Sequence, residues 1–539
     1  MRPPVAGAGR PFTCLQCLLR TSIRRTALPL PASARSHSPL RKTQTTQFAS
    51  YHSSRRLLQS STPQDQQLAA QRPTIAPKPV LDLKHIRQNP DLYAQNCRDR
   101  NYSAAASYPA RINDLFAQWQ AKQREGRKLR ERGNLLRRQI TDPGTSRDDA
   151  DEEAAGFRSM SREQLLDEAR NVKAALASIE DAEASLKAEM ERLALAIPNL
   201  TSDATPRGNE PRVLSYINDH PEPSPSQSDR VWRSHIHVGA ELGLLDFTAA
   251  AASSGWGWYY LLDEAAQLEQ ALVSYALTAA TRAGWRQVSP PSMVYSHIAG
   301  ACGFQPRDAS GETQIYAVAQ TPEDAARGKP ELCLAGTAEI PLAGMKADAV
   351  LDEADVPAKR VAASRCYRAE AGARGSETKG LYRVHEFTKV ELFAWTAPDP
   401  AQTQDVFDEM VDLQTDLLES LGLHCRVLEM PTADLGASAT RKCDIEAYFP
   451  SRRHRNDGWG EVTSASICTD YQTRRLGTRL RTGGKLVYPW TVNGTALAVP
   501  RVLAALLENG WDETEKSVTI PEVLRPWMDG QEKIGPRHR

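Results

Sequence analysis

The chain has 539 residues, 40% of them hydrophobic and 25% charged, and its formal net charge is +1. This length exceeds one average domain and predicts two or three. The composition is typical of a soluble globular protein, and no apolar run is long enough to cross a bilayer, so no membrane partner is expected.

The N-terminal segment is strongly basic. Residues 1–60 contain ten lysines and arginines and no acidic residue, and Asp65 is the first acid. A basic, serine-rich, acid-free start is typical of an organellar transit peptide. Residues 1–64 are therefore interpreted as a mitochondrial or chloroplast transit peptide and linker. A mitochondrial transit peptide, with the mature protein in the mitochondrial matrix, is the prediction adopted. A basic disordered arm that binds nucleic acid is the alternative.

Residues 81–200 carry a long helical pattern. Nine positions from Ile112 to Ile140 fall at alternating three- and four-residue steps, which is the pattern of a coiled-coil seam. Six of them are large and apolar, and three, Lys122, Gly126 and Gly133, are imperfect. Asp142 and the next two residues, Pro-Gly, break the pattern. Ser161 with Gln164 predicts a capping box at the start of a second helix. Two such helices joined by a turn predict an antiparallel hairpin of helices.

The first of these helices is basic. Between Lys122 and Arg138 it has eight lysines and arginines against two glutamates. A basic rod of this kind is suited to follow a phosphate backbone. A structural or dimerising coiled coil with a solvated charged face is the alternative.

Residues 201–228 are rich in proline, serine and aspartate, which predicts a linker, and residues 229–530 are expected to form one catalytic domain. Strand-like and helical segments mix there without regular βαβ alternation. The Gly-x-Gly-x-x-Gly and P-loop patterns are absent, which argues against a Rossmann nucleotide fold. An antiparallel sheet flanked by helices, an α+β fold, fits better.

The stretch from Arg368 to Glu391, RAEAGARGSETKGLYRVHEFTKVE, is the most informative in the chain. Arg368 and Arg383 can each donate forked, charge-assisted hydrogen bonds to phosphate. Phe387 offers a flat face for a base. Three glutamates remain as acceptors for amines or hydroxyls: Glu370, Glu386 and Glu391. Such a set suits a polyanion bound beside a polar substrate. An ordinary hairpin with surface arginines is the alternative.

A second candidate segment, LAGTAEIPL, runs from Leu334 to Leu342. Thr337 and Glu339, two residues apart in a predicted strand-to-helix turn, can point into one pocket and hold an ammonium group. A helix cap followed by a glutamate in the first turn is the alternative.

These two segments closely resemble the Thr-x-Glu motif and motif 2 of the seryl-tRNA synthetases, which are class II aminoacyl-tRNA synthetases. The resemblance extends over about residues 81–530, and TVNGTALAVPRVLAALLENG, from Thr491 to Gly510, is similar to motif 3. It implies an α+β fold in which an antiparallel sheet is flanked by helices and preceded by an N-terminal antiparallel coiled-coil arm.

The resemblance also implies a nucleotide site. Arg368 would meet the α-phosphate and Arg501 would clamp the γ-phosphate, as the two catalytic residues, while Phe387 would stack on the adenine. Glu461 and Ser464 would bind Mg²⁺, because carboxylate and hydroxyl oxygens suit that ion. The full set of implied ATP-binding residues is Arg368, Ala369, Glu370, Arg383, Phe387, Glu461, Val462, Thr463, Ser464 and Arg501.

Three features depart from the family's pattern near this site. Gly460 stands where the family usually has arginine, and Ala465 stands where it usually has cysteine. Residues 452–459, RRHRNDGW, look like a small insertion.

The implied serine-binding residues are Thr337, Ala338, Glu339, Arg368, Glu391 and Thr495. Glu391 would accept hydrogen bonds from the polar groups of serine. Alanine would leave that carboxylate unpaired and the methyl group of threonine would crowd it. No editing domain is recognised, so fidelity is expected to depend on this pocket.

In function, the resemblance implies a serine–tRNA ligase of mitochondrial translation. It would activate L-serine with ATP to seryl-adenylate and transfer serine to tRNA(Ser), which the arm would grip. The segment from Gly284 to Pro291 ends in the proline expected at a class II dimer interface, so a homodimer is implied. A catalytically silent RNA-binding paralogue and an amino acid:carrier-protein ligase are the alternatives.

Overall fold

The computed structural model describes residues 76–142, 156–219, 233–304, 315–370 and 380–536. The predicted transit peptide and linker, residues 1–64, lie outside the described residues.

The described residues form α-helices in two groups, which belong to an N-terminal arm and to the body that follows it. The arm contains α1 Leu83–Gln88, α2 Pro90–Asp99, α3 Tyr108–Thr141 and α4 Arg162–Leu195. The body contains α5 His235–Glu241, α6 Phe247–Ser254, α7 Glu264–Arg282, α8 Ser296–Ala301, α9 Pro322–Ala326, α10 Glu339–Gly344, α11 Pro400–Ser420, α12 Tyr471–Leu476 and α13 Val499–Asn509. Short 3₁₀ turns lie at Ser103–Ser107, Glu353–Asp355, Thr432–Asp434, Pro450–Arg452, Asn456–Gly458 and Glu522–Trp527.

The strands of the described residues all belong to the body. They are β1 Arg212–Ile217, β2 Leu245–Asp246, β3 Tyr260–Leu261, β4 Arg286–Gln287, β5 Met293–Tyr295, β6 Ala317–Val318, β7 Leu332–Leu334, β8 Val350–Asp352, β9 Ala358–Tyr367, β10 Glu386–Thr396, β11 Cys425–Glu429, β12 Arg441–Tyr448, β13 Trp459–Thr469, β14 Arg479–Thr482, β15 Lys485–Val487, β16 Trp490–Ala498, β17 Trp511–Asp512, β18 Ser517–Thr519 and β19 Lys533–Ile534.

In the arm, α3 and α4 pack against each other in opposite directions. Arg132 reaches Glu168 at 2.7 Å, and the more N-terminal Arg130 reaches the more C-terminal Glu180 at 3.3 Å. The helix start is set locally, because the Ser161 side chain accepts from the backbone of α4 while the Gln164 side chain accepts from the backbone N–H of Ser161. This is the predicted capping box.

The body is built on an eight-stranded sheet of order β1–β11–β12–β13–β16–β10–β9–β4. All neighbouring strands run antiparallel except β4, which lies parallel to β9 at one edge. The main core lies between one face of this sheet and α7, α11 and α13. The side chains of β10 alternate between the two faces of the sheet. Val390, Leu392 and Ala394 enter this core, and the residues between them face away from it.

The prediction that residues 201–228 form only a linker is wrong for part of that segment. Residues 212–217, RVLSYI, form β1, which pairs with β11 from Arg212 opposite Glu429 to Ile217 opposite Cys425. The prediction missed a short run of strand formers because it relied on the proline and serine content of the whole segment. Such a short run is enough for an edge strand, which needs only one partner.

No helix among the described residues has both the length and the apolar character needed to cross a membrane.

Candidate active site

A row of buried and half-buried polar side chains crosses the sheet on the face turned away from the main core. Glu391 on β10 lies opposite Thr495 on β16, and Thr495 lies opposite Ser464 on β13. Residues opposite each other in antiparallel strands share a face. The fold therefore brings together two predicted serine-binding residues and one predicted magnesium ligand that are distant in sequence.

Lys389 completes this row. It lies two residues before Glu391 on the same strand, so the two side chains share a face. Its Nζ lies 2.5 Å from Glu391 Oε2 and donates to Thr495 Oγ1 at 3.1 Å. Thr495 in turn donates to Glu391 at 3.4 Å. Burial raises the pKa of Glu391, and the Lys389 charge acts in the opposite direction.

The Thr-x-Glu segment lies between β7 and α10, in the predicted strand-to-helix turn. Thr337 and Glu339 are both buried, and the backbone N–H of Glu339 donates to Thr337 Oγ1 at 3.2 Å. Ala338 packs in a hydrophobic cluster, so only its backbone is available to a ligand. Gln472 on α12 donates to Glu339 Oε1 at 2.6 Å.

Glu339 lacks the cationic partner that Glu391 has. Among the described residues no lysine, arginine or histidine nitrogen lies within 4.0 Å of its carboxylate, and Gln472 is neutral. Burial, followed by the charge of Glu391, raises the pKa of Glu339 to about 8. A buried carboxylate held in this way favours a cationic ligand that would pair with it.

A cleft beside these residues collects five of the ten predicted ATP-binding residues. It is lined by Arg368, Glu370, Leu381, Tyr382, Arg383, Val384, Phe387, Ala498, Pro500 and Arg501. The Arg368 guanidinium lies 5.2 Å from the Phe387 ring centre, and Arg383 lies 3.6 Å from Glu370. Ala369 lies between two of these lining residues.

Arg368 links the cleft to the pocket. Its Nε donates to the Gly336 carbonyl, at the start of the Thr-x-Glu turn, at 3.4 Å. Its charge also lowers the pKa of both Glu339 and Glu391, against the larger effect of burial. Arg368 is thus placed between a candidate amino-acid pocket and a candidate phosphate site.

Arg501 lies early in α13, at the other side of the cleft. Its Nε donates to the Tyr382 carbonyl at 3.1 Å and its Nη1 donates to the Glu461 carbonyl at 3.0 Å. The same Nη1 lies 3.5 Å from Glu461 Oε2. Burial alone would raise the pKa of Glu461, and the charges of Arg501 and Lys442 outweigh it and lower that pKa.

Glu461 and Ser464 are three residues apart on β13, which in a regular strand would put them on opposite faces. The register against β12 shifts here, because Ile445 pairs with Thr463 whereas Glu446 pairs with Glu461. Val462 is the extra residue of this β-bulge, and a bulge lets residues three apart lie on one face. The Val462 side chain enters the main core, and the Thr463 hydroxyl donates to the Thr495 carbonyl.

The donor chemistry of Glu461 and Ser464 suits Mg²⁺, which prefers oxygen ligands and completes its shell with phosphates and water. Among the described residues no group of three or more His, Cys, Asp or Glu side chains is arranged to hold a metal ion by itself. Phosphate oxygens of a bound nucleotide would therefore be needed to complete such a site.

Sequence reasoning missed three residues of this region. Lys389 was recognisable from its Lys-x-Glu spacing with Glu391, which predicts one face of a strand. Gln472 carried no local signal, because its contact with Glu339 spans 133 positions. Asp444 is buried opposite Ser464 and pairs with Lys442 at 2.7 Å, which also required the register of β12 and β13.

Both the arm and the body match families of known proteins. Residues 80–201 match the family described as "Seryl-tRNA synthetase N-terminal domain", and residues 318–510 match "tRNA synthetase class II core domain (G, H, P, S and T)". The mitochondrial serine–tRNA ligase of Saccharomyces cerevisiae is 44% identical over 353 residues, covering 65% of this chain and 75% of that protein.

Two further relatives cover more of the chain. The serine–tRNA ligase of Rubrobacter xylanophilus is 38% identical over 467 residues, covering 85% of this chain and 100% of that protein. The crystal structure of seryl-tRNA synthetase from Pyrococcus horikoshii complexed with ATP superposes with a TM-score of 0.71 at 30% identity, covering 85% of this chain and 100% of that one.

The large, mainly antiparallel sheet flanked by helices, with an arginine-lined cleft on it, is the core of a class II aminoacyl-tRNA synthetase, so the predicted fold class is confirmed. Two findings identify the family within this class: the match of residues 80–201 to the N-terminal domain, and the relatives that are matched over their whole length. The chain belongs to the seryl-tRNA synthetase family, as its sequence predicted.

Proposed function

We propose that the chain activates L-serine with ATP to seryl-adenylate and transfers serine to tRNA(Ser) in mitochondrial translation. The observation that carries this proposal is the contrast between two buried carboxylates beside an arginine-lined cleft. Glu391 is paired with Lys389, whereas Glu339 has only the neutral Gln472. Glu391 therefore suits a neutral hydroxyl group, and Glu339 suits an ammonium group.

Serine binds with its ammonium group on Glu339 and Thr337 and its hydroxyl group against Glu391 and Thr495. Because Lys389 already neutralises Glu391, that carboxylate acts as a hydrogen-bond acceptor rather than as a counter-ion. Alanine would leave it without its hydroxyl partner, which costs on the order of a few kcal/mol in a buried site.

Adenylate formation needs no protein nucleophile. A serine carboxylate oxygen attacks the α-phosphorus, the bond from that phosphorus to the bridging oxygen breaks, and pyrophosphate leaves. Arg368 stabilises the charge that builds on the α-phosphate, and Arg501 holds the distal phosphate. Arg383 binds the distal phosphates, Phe387 stacks on the adenine and Glu370 accepts from its amino group.

A magnesium ion on Glu461 and Ser464 would supply charge neutralisation at the phosphates when ATP is bound. The chain's own contribution there is to hold Glu461 ionised beside Arg501, as the lowered pKa of that carboxyl supports.

In the transfer step, a ribose hydroxyl of the terminal adenosine of tRNA(Ser) attacks the seryl carbonyl carbon and AMP leaves. The basic helix α3 supports a role of the arm in holding tRNA through its backbone. The resemblance to mitochondrial relatives and the acid-free residues 1–60 support location in the mitochondrial matrix.

A homodimer is part of this proposal. β4, in the segment predicted to form the interface, lies at the free edge of the main sheet. Pro291, Met293 and Tyr295, which follow β4 closely in sequence, are exposed, which supports an interaction surface there.

The test is ATP–pyrophosphate exchange by the purified full chain with serine, alanine, threonine, glycine and cysteine. We expect exchange with serine alone, abolished by Arg368→Ala. Exchange with none of the five amino acids by folded protein would contradict the proposal and favour an RNA-binding role. Exchange with serine but no transfer to tRNA would favour the carrier-protein ligase.

A further inference from the structure

The segment that looks like an insertion borders the nucleotide cleft. It connects β12 to β13 through the two 3₁₀ turns Pro450–Arg452 and Asn456–Gly458. Its basic run includes Arg452 and Arg453, neighbours in sequence with different surroundings. Arg453 is exposed, whereas Arg452 is half-buried against the body.

Arg452 lies against the ring of Tyr382. Its guanidinium carbon is 4.1 Å from the ring centre, and the guanidinium carbon of Arg501 is 4.6 Å from the same centre. Both distances are within the range of a cation–π contact. The Arg452 side chain forms no hydrogen bond or ion pair with the other described residues. Its guanidinium is held by the cation–π contact with the Tyr382 ring.

Gly460 makes room for this ring. A Cβ atom at Gly460 would lie 2.7 Å from Tyr382 Cε2 and 3.0 Å from Phe449 Cε2, so any larger residue would push the ring away. Phe449 meets Tyr382 edge-on, with ring centres 5.7 Å apart. The space beside Gly460 is thus filled by the Tyr382 ring, and Arg452 supplies a guanidinium to that ring.

Tyr382 is also a support of Arg501, the candidate γ-phosphate residue. Its carbonyl accepts from Arg501 Nε at 3.1 Å, and its ring contacts the same guanidinium. The ring position therefore affects where Arg501 points in the cleft.

We propose that Arg452 is a positioning residue for ATP: it fixes the Tyr382 ring and, through it, the orientation of Arg501. The inference rests on the proposed function of the cleft. It adds that Arg452 and the glycine at position 460 act together, because the glycine leaves room for the ring on which Arg452 stacks.

General electrostatic attraction by the basic insertion makes a different prediction. Arg452 and Arg453 carry the same charge and are adjacent, so long-range attraction of ATP or tRNA would weaken similarly on loss of either. Stacking predicts that only Arg452 matters for ATP.

The experiment measures ATP–pyrophosphate exchange by the full chain, with KM determined separately for ATP and serine. We expect Arg452→Ala to raise the KM for ATP about five-fold, the size of one stacked cation, with the KM for serine unchanged. Arg453→Ala is the matched control and should behave as the unaltered chain. Arg452→Lys should recover part of the loss, because lysine also stacks on an aromatic ring.

A double-mutant cycle separates positioning from stability. If Arg452 acts through Tyr382, Arg452→Ala adds little to the effect of Tyr382→Leu on the KM for ATP. Independent, additive effects would overturn the inference. Equal effects of Arg452→Ala and Arg453→Ala would overturn it too, as would a lower Tm of Arg452→Ala with an unchanged KM for ATP. Absence of serine-dependent exchange in the unaltered chain would instead contradict the proposed function.

Discussion

Glu339 and Glu391 lie near each other but have different neighbours, and these neighbours determine the charge and protonation state of each carboxylate. Lys389 compensates the charge of Glu391, while Gln472 gives Glu339 a hydrogen bond without a charge. Burial therefore dominates at Glu339 and raises its pKa to about 8. Free enzyme at neutral pH holds a substantial fraction of this group protonated.

The pKa of Glu339 makes serine binding depend on pH. In the proposed binding mode the ammonium group of serine pairs with the ionised form. The KM for serine should therefore fall as pH rises from about 6 to about 8.5, with a midpoint near 8 in the free enzyme. The hydrogen bond from Gln472 lowers this pKa. Gln472→Leu should therefore raise the pKa and move the midpoint to higher pH.

The measurement is the KM for serine in pyrophosphate exchange across that pH range. Gln267→Leu, which alters a surface glutamine bonded to Asp529, is the control and should leave the profile in place. A midpoint that Gln472→Leu does not move would show that this hydrogen bond does not govern the ionisation.

At the scale of the element, His235 ties three segments of the body together. Its Nδ1–H donates to Glu508 on α13 at 2.8 Å, and its Nε2 accepts the backbone N–H of Leu381 at 3.0 Å. Gly380 is required beside it, because a Cβ there would lie 2.2 Å from His235 Nε2. The start of the segment that leads to Tyr382 is thus fixed by a helix far away in sequence.

His235→Ala should loosen this segment. It leaves the Leu381 N–H without its acceptor and removes a partner of the buried Glu508, which we expect to cost about 1–3 kcal/mol in the free energy of unfolding. The KM for ATP should rise as well, since Leu381 lines the cleft. Chemical denaturation and pyrophosphate exchange measure the two effects.

The matched control is His237→Ala, two residues along the same helix. His237 is exposed and its side chain contacts only Ser234 among the hydrogen bonds of the described residues. An equal loss of stability in both variants would mean that the helix as a whole, and not the link to Leu381, is responsible.

Elements differ in how far sequence alone determines them. The spacing of the seam from Ile112 to Ile140 and the pair Ser161 and Gln164 are local signals, and α3 and α4 follow them. The bulge at Val462 is not a local signal, because it exists only relative to the register of β12. The same holds for Gln472, whose role depends on how α12 lies against the Thr-x-Glu turn. Candidate site residues that lie within a motif could therefore be named from the sequence, whereas supporting residues supplied by other elements could not.

At the scale of the whole molecule, the arm is joined to the body by partly buried hydrogen bonds at its base. Asn199, just after α4, donates to the carbonyls of Ser438 at 2.9 Å and Cys468 at 2.8 Å. Arg100, fully buried, donates to the carbonyls of Asn199 and Gly436. The base of the arm is thus held in a defined place on the catalytic body.

A surface arginine on the arm tests its proposed contact with tRNA. Arg127 on α3 is exposed and forms no ion pair with the other described residues, so it is available to phosphate. Arg127→Ala should weaken tRNA binding and make the slope of log affinity against log salt shallower by about 0.9 for each phosphate that is no longer neutralised. Exchange without tRNA should not change.

The matched control is Arg170→Ala on α4, whose charge is already paired with Asp167 at 2.6 Å. Filter binding or fluorescence titration over a salt series gives both slopes. Equal slopes in the two variants and the unaltered chain would show that this part of α3 does not touch the RNA.

The six-residue helix α12 limits how freely the arm could be exchanged between relatives. Arg475 donates to the Leu195 carbonyl at the end of the arm, and Gln472, one turn away, holds Glu339. A chimaera joined at about residue 200 would place a foreign helix end against Arg475, and amino-acid selection would change along with RNA preference. A junction placed in α3 and α4 on the side of Met190 that is farther from the body leaves that contact native. Only the outer part of the arm is then exchanged.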